Sequence, residues 1–318
     1  MTKRPLGKTG ISISPLALGG NVFGWTIDEK ASFTILDAFV DHGLDLVDTA
    51  NMYSTWAPGN KGGESETIIG RWLKTSGKRD KIILATKVGM QMGDGTQGLK
   101  KDYILKSVED SLARLQTDYI DLYQSHQDDA DTPLAETLSA YDILIRQGKV
   151  RAIGASNYTA DRLRESLAAS AAKNLPAYAT IQPEYNLYDR AGFESSLEPL
   201  ALENGLGVIT YYSLASGFLT GKYRSADDLG KSARGGGIGE KYLNERGRRI
   251  LAALDKVAAA HHTAPAIVAL AWLIQRPAVT APIASATSVA QLNDLVKAAT
   301  LTLGAEDVAS LDQASAEN

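Results

Sequence analysis

Short runs of branched and aromatic residues, each closed by turn-forming residues, recur along the whole chain. They fall at Pro15 to Gly19, Leu44 to Thr49, Lys81 to Lys87, Tyr119 to Ser125, Val150 to Ala155, Thr180 to Gln182, Gly207 to Tyr212 and Thr280 to Ala284, and their lengths and composition predict strands. Between most of them the apolar spacing changes to that of a helix. Over Lys101 to Leu115, for example, Ile104, Leu105, Val108, Leu112 and Leu115 share one face at the helical period. Successive strand starts lie roughly 30 to 40 residues apart, the size of a βα unit, until a gap of about 70 after the seventh run. A segment is inserted there.

Eight βα units in 318 residues predict an α/β fold, a closed (β/α)8 TIM barrel, because closure leaves no edge strand exposed. A single domain over residues 1–318 accommodates all of it. Thr132 ahead of Pro133 reads as the cap of a helix that Gly148 closes. The opening segment Arg4 to Ser14, with Gly7 and Gly10 between apolar positions, predicts an N-terminal β-hairpin covering the barrel floor. Two long turn-rich segments, 51–63 and 213–239, follow strands and so belong to the carboxyl face. Within the second, Gly235-Gly236-Gly237 reads as a flexible linker or lid.

Composition narrows the function. A hydrophobic share of 44% with 22% charged residues suits a packed globular chain and argues against disorder or a coiled coil. The net charge of −4 offers no basic footprint, so neither nucleic acid nor an anionic membrane surface is an expected partner. With no cysteine, disulfides, thiolate nucleophiles, iron–sulfur clusters and Cys-ligated zinc are excluded. Histidine occurs only at positions 42, 126, 261 and 262, which makes a three-histidine metal site unexpected. The basic N-terminus lacks the apolar stretch of a secretory signal, and no run of about 18 apolar residues occurs. The expectation is a soluble, cytoplasmic protein without membrane insertion, either a monomer or a homo-oligomer.

In a barrel, side chains at the carboxyl ends of the strands converge on one site however distant they are in sequence. The ionisable residues placed there are Asp48 in LDLVDTA, Lys87 in ILATKVG and His126 in LYQSHQDD, with Tyr53 five residues beyond Asp48. Each alone has an ordinary structural reading. Together, at the ends of three adjacent strands, they would be unfavourable to bury without mutual pairing. As a set they suit acid catalysis on a carbonyl. An ammonium at Lys87 lowers the phenol pKa of Tyr53, Asp48 pairs with Lys87, and His126 donates a hydrogen bond to the carbonyl oxygen. Ser125 and His126 point to opposite faces of their strand, so a serine-hydrolase pair is not expected. Reduction also needs a hydride donor. Ser156, Asn157 and Gln182 can hold a carboxamide, and Tyr211-Tyr212 can stack on a planar ring.

These segments resemble the aldo/keto reductases, NAD(P)H-dependent oxidoreductases on this barrel, and in particular a bacterial branch similar to potassium-channel β subunits. The resemblance rests on RPLGKTGISIS, DLVDTANMYS, GESETIIGRWL, ATKVG, YIDLYQSHQDD, GKVRAIGASNY, IQPEYNLYDR, YYSLASGFLTGKY and PIASATSVAQL. It implies a catalytic tetrad of Asp48, Tyr53, Lys87 and His126, with Tyr53 the proton donor to an aldehyde or ketone. It assigns Ser156, Asn157 and Gln182 to the nicotinamide carboxamide, Tyr211 to its ring, and Leu214, Ser216, Gly217 and Lys222 to the pyrophosphate. Family members that favour NADPH place a cation after the last strand. Here Ser285, Thr287 and Gln291 stand there, and no Lys or Arg occurs between Arg276 and Lys297. NADP(H) stays the expected cofactor, with Lys222, Lys231 or Arg234 reaching the 2′-phosphate from the insertion, and NAD(H) is admitted. Trp25, Trp56 and Met90, or Met92, are expected to line the substrate mouth. The alternative is a cofactor-sensing regulatory subunit of a membrane protein with little turnover.

Overall fold

The computed structural model describes residues 1–231 and 235–317. Leu6, Ile11 and Ile13, in or beside the hairpin of β1 (Arg4–Pro5) and β2 (Ser12–Ile13), pack against Ala17, Leu46, Ala85, Leu122, Ala152, Ile209 and Ala281. The hairpin thus plugs the barrel from below, as its apolar positions require.

Eight parallel strands close into a barrel in chain order. They are β3 (Ala17–Gly19), β4 (Leu46–Asp48), β5 (Ile83–Val88), β6 (Ile120–Ser125), β7 (Val150–Ser156), β8 (Thr180–Gln182), β9 (Gly207–Thr210) and β10 (Val279–Ala284). All eight expected runs are strands, several trimmed by one or two residues. The seventh stops at Thr210 because the Tyr212 carbonyl accepts bonds from Ala215 N and Asn186 Nδ2, which turns the backbone to φ 50° at Tyr212. Helices α1 (Glu29–Asp41), α2 (Glu64–Ser76), α3 (Lys101–Leu115), α4 (Leu134–Arg146), α5 (Ala160–Lys173) and α6 (Glu198–Asn204) join the first seven strands. Helix α3 has the predicted bounds and buries Ile104, Val108, Leu112 and Leu115. At α4, Gly148 follows the last turn in the left-handed region as expected. Thr132, however, does not cap it. Its hydroxyl donates to Asp129 Oδ2, and Pro133 itself is the cap residue without a side-chain bond.

The insertion after β9 carries α7 (Gly235–Tyr242) and α8 (Glu245–Ala260), and α9 (Pro265–Ile274) leads back to the barrel. The three glycines therefore open a helix and are not a linker. Ile238 and Tyr242 bury α7 against the core, and a side chain at Gly235 would collide with the Leu229 carbonyl. Burial and close backbone approach outweigh glycine's weak helix propensity. Arg234 lies outside the described residues. Helices α10 (Val289–Lys297) and α11 (Ala305–Ser315) complete the chain. Among the described residues no single helix is long and apolar enough to cross a membrane, and α8 and α9, which together have that length, meet at 94°.

Candidate active site

The pleat of the strands decides what enters the barrel. Along β6, Leu122 faces the plug and Gln124 stands above it, while Tyr123 and Ser125 face the helices. Ser125 Oγ bonds to the Tyr141 and Tyr178 hydroxyls behind the sheet, so it is on the other side of the strand from His126, as expected. The same alternation sends Asp48 of β4 and Lys87 of β5 inward above an apolar floor.

The four predicted ionisable groups meet at the top of that column. Lys87 Nζ donates to Asp48 Oδ2 at 2.6 Å, to the Tyr53 hydroxyl at 2.9 Å and to the Thr49 carbonyl at 2.8 Å. All three ammonium hydrogens are thereby used. The Tyr53 and His126 rings approach edge to face at 5.8 Å. Lys87, Asp48 and His126 are buried.

Electrostatics follow from burial and pairing. Burial pulls the Lys87 pKa down, but Asp48 and Tyr53 more than offset it, so the ammonium form is held above its ordinary range. Burial and then the Lys87 charge hold His126 well below its usual value, leaving a neutral imidazole. Its Nδ1 is buried without a hydrogen-bond partner among the described residues. At Tyr53 the expectation needs correction. Lys87 does pull the phenol down, yet burial, aided by the Asp48 charge, raises it further, and the net shift is upward. Tyr53 keeps its proton at neutral pH, which is the state an acid needs.

The cofactor-assigned residues at the ends of β7 and β8 and just beyond β7 and β9 are also brought together. Ser156 Oγ donates to the Gln182 carbonyl, Asn157 Nδ2 to the His126 carbonyl and to Ser156 Oγ, and the Tyr211 hydroxyl to Asn157 Oδ1 at 2.6 Å. Gln182 Nε2 donates to Asp48 Oδ1. The Asn157 amide is thus occupied within the chain, whereas Ser156 Oγ can still accept and Gln182 Oε1 carries no bond from the described residues. That remaining acceptor pair suits the NH2 of a carboxamide, so the residues present fit a nicotinamide. Beyond β9, Ala215, Ser216 and Gly217 turn consecutively through left-handed backbone at φ 48°, 57° and 99°, and Leu214 is half-buried beside them. Successive amides in such a turn form a concavity for anionic oxygens. Lys222 is exposed above it, with Nζ 3.5 Å from where a Cβ on Gly217 would stand. Lys231, exposed, pairs with Asp228 at 2.6 Å. After β10, the Thr287 amide and hydroxyl both donate to Gln291 Oε1, and Ser285 Oγ donates to Asn21 Oδ1.

Trp25, Trp56 and Tyr53 form one aromatic cluster, with Trp25 to Trp56 at 5.6 Å and Tyr53 to Trp56 at 5.8 Å. Trp56 is 44% exposed and Tyr212, just beyond β9, 51%. Met90 is half-buried just beyond β5, and Met92 packs beside Gly62. A cavity of 460 Å³ beside the mouth is lined by Asn157, Pro183, Glu184, Arg190 and Arg246 among others, and by none of the four convergent groups. Sequence reasoning passed over Gln124, Asn21 and the Thr49 carbonyl. Gln124 was visible as the inward position two residues above Leu122, but an uncharged side chain draws no attention in a search for titratable groups.

The aldo/keto reductase family profile matches residues 15–316. A Bacillus subtilis protein named uncharacterized oxidoreductase YrpG is 37% identical over 95% of this chain and 92% of its own length. Aldo-keto reductase YhdN of the same organism is 35% identical over 95% and 90%. A probable voltage-gated potassium channel subunit beta of Arabidopsis thaliana is 31% identical over 94% and 91%.

Proposed function

The chain belongs to the aldo/keto reductase family of oxidoreductases, and from that premise we propose that it reduces an aldehyde or ketone to an alcohol with NADPH, accepting NADH as well. The observation that carries this reading is the single ammonium of Lys87, buried and shared between Asp48 and the hydroxyl of Tyr53.

In this reading the substrate oxygen accepts hydrogen bonds from the Tyr53 hydroxyl and from an N–H of the neutral His126. As the proton leaves Tyr53, negative charge grows on its oxygen, where the fixed Lys87 ammonium stabilises it most. Asp48 keeps that ammonium charged and aimed. Trp25 and Trp56 shield the Tyr53 edge from water and offer an apolar wall to the substrate, with Met90 beyond. Ser156 Oγ and Gln182 Oε1 hold the carboxamide, Asn157 fixes Tyr211 for ring contact, and the turn at Leu214 to Gly217 with Lys222 receives the pyrophosphate. The reduced nicotinamide, when bound, supplies the hydride to the carbonyl carbon. Ser285, Thr287 and Gln291 meet the adenosine ribose end with hydroxyls and an amide.

The regulatory alternative shares this barrel, and fold alone does not choose. That alternative would carry the same four groups, and it is the relatives named as an oxidoreductase and an aldo-keto reductase that favour turnover. The test is consumption of NADPH and NADH by the purified protein across aromatic aldehydes, α-dicarbonyls and keto-sugars. Turnover on any class supports the reductase. Tight cofactor binding without turnover on the whole panel would overturn it in favour of sensing.

A further inference from the structure

Asp48 has two oxygens, and Lys87 uses one. The other, Oδ1, accepts from two amides that reach it across the barrel, Gln124 Nε2 of β6 at 3.2 Å and Gln182 Nε2 of β8 at 3.0 Å. Strands β4, β6 and β8 alternate around the barrel, so the three side chains form one polar layer directly above the apolar floor. Gln124 is fully buried, and its neighbour on β7 leaves it room. A side chain on Gly154 would stand 3.1 Å from Gln124 Cγ and 2.1 Å from Thr180 Oγ1. A buried amide placed in a barrel centre that apolar residues fill elsewhere has to be explained by what it holds.

We infer that Gln124 is a positioning residue for proton transfer: with Gln182 it fixes the Asp48 carboxylate as a charged, oriented acceptor and so keeps the Lys87 ammonium aimed at the Tyr53 hydroxyl. The inference rests on the reading of the site proposed above. Gln182 also faces the cofactor in that reading, whereas Gln124 donates to Asp48 and its Oε1 takes only a long 3.5 Å bond from Gln182 Nε2. Without Gln124, Asp48 Oδ1 keeps only the Gln182 amide, so the carboxylate loses one of the two donors that fix its plane and the Lys87 ammonium is aimed less tightly.

The test compares Gln124→Leu, Gln124→Glu and Lys87→Met in the full chain, following kcat, KM, NADPH affinity by fluorescence quenching, and the pH profile. For Gln124→Leu the expected result is a kcat lower by roughly tenfold, the fold-change of one hydrogen bond to a charged group, with KM and NADPH affinity within about twofold of the parent. Gln124→Glu supplies a signature that packing damage does not. Burial beside Asp48 raises the introduced carboxyl's pKa. At low pH it is protonated and donates to Asp48, and as pH rises it ionises and repels it. Its activity relative to the parent should therefore fall with rising pH, while the Gln124→Leu ratio stays flat. Parent-like kcat in Gln124→Leu, or equal losses at every pH in both variants, would overturn the inference. If Lys87→Met is inactive while Gln124→Leu is unimpaired, the inference fails and the reading of the site stands. If Lys87→Met keeps full turnover, the reading itself fails. Should Gln124→Leu not fold, Gln124→Met carries the same comparison with a more adaptable side chain.

Discussion

Replacing Lys87 by methionine removes the charge on which the site turns while keeping a chain of similar length. At 2.9 Å, an ammonium and a full phenolate attract by about 6 kcal/mol at an effective dielectric constant of about 20. A proton half transferred realises about 3 kcal/mol, roughly a hundredfold in rate. The substitution also leaves Asp48 Oδ2 buried without its partner, and breaking a buried pair from one side destabilises by about 3 to 5 kcal/mol. The two effects separate in the double variant Asp48→Asn with Lys87→Met, in which no buried charge remains unpaired. Denaturant unfolding should show most of the lost stability restored, while steady-state reduction stays at least about a hundredfold below the parent. A double variant as unstable as the single one would refute the pairing argument. Recovery of turnover along with stability would refute the role of the ammonium.

Because Tyr53 is held above its ordinary pKa, reduction should show no alkaline break below about pH 10, and a titration limb near pH 8 in kcat/KM would contradict this. His126 is held well below its usual range, so below about pH 6.5 the unfolded chain binds a proton that the folded chain refuses, and stability falls as pH falls. Comparing unfolding at pH 7 and pH 5 in the parent and in His126→Asn should show a shallower decline in the variant; parallel declines would contradict the assignment. With Thr287 and Gln291 bonded to each other and no Lys or Arg between Arg276 and Lys297, NADPH and NADH affinities should differ by no more than about tenfold, and Lys222→Ala should weaken NADPH at low salt. Binding titrations that give a preference of several hundredfold would show that a cation meets the 2′-phosphate after all.

The fold was legible because a barrel repeats one simple pattern. Eight buried runs with helices between them, and apolar positions in the hairpin, leave few other ways to cover their surfaces. Convergence of Asp48, Tyr53, Lys87 and His126 was legible for a related reason, since ionisable residues ending apolar strands must pair. What escaped depends on three-dimensional surroundings. The charge acting on Tyr53 was visible in sequence, but the burial that outweighs it is a property of the packed mouth. Gly235 to Gly237 read as a linker because their helix is made by Ile238, Tyr242 and the Leu229 carbonyl, all supplied by tertiary contact. Tyr212 looked like strand until Asn186 and Ala215 claimed its carbonyl. Gln124 carries no charge, and only its reach to Asp48 across the barrel reveals a task for it.

The central claim is that Tyr53 gives its proton to a substrate oxygen. Tyr53→Phe tests it most directly, because the ring stays in place beside Trp56 and His126 and only the hydroxyl is lost. The account predicts that carbonyl reduction falls by roughly 10² to 10⁴ fold, the contribution of a positioned acid, with cofactor affinity unchanged. Undiminished turnover in that variant would contradict it.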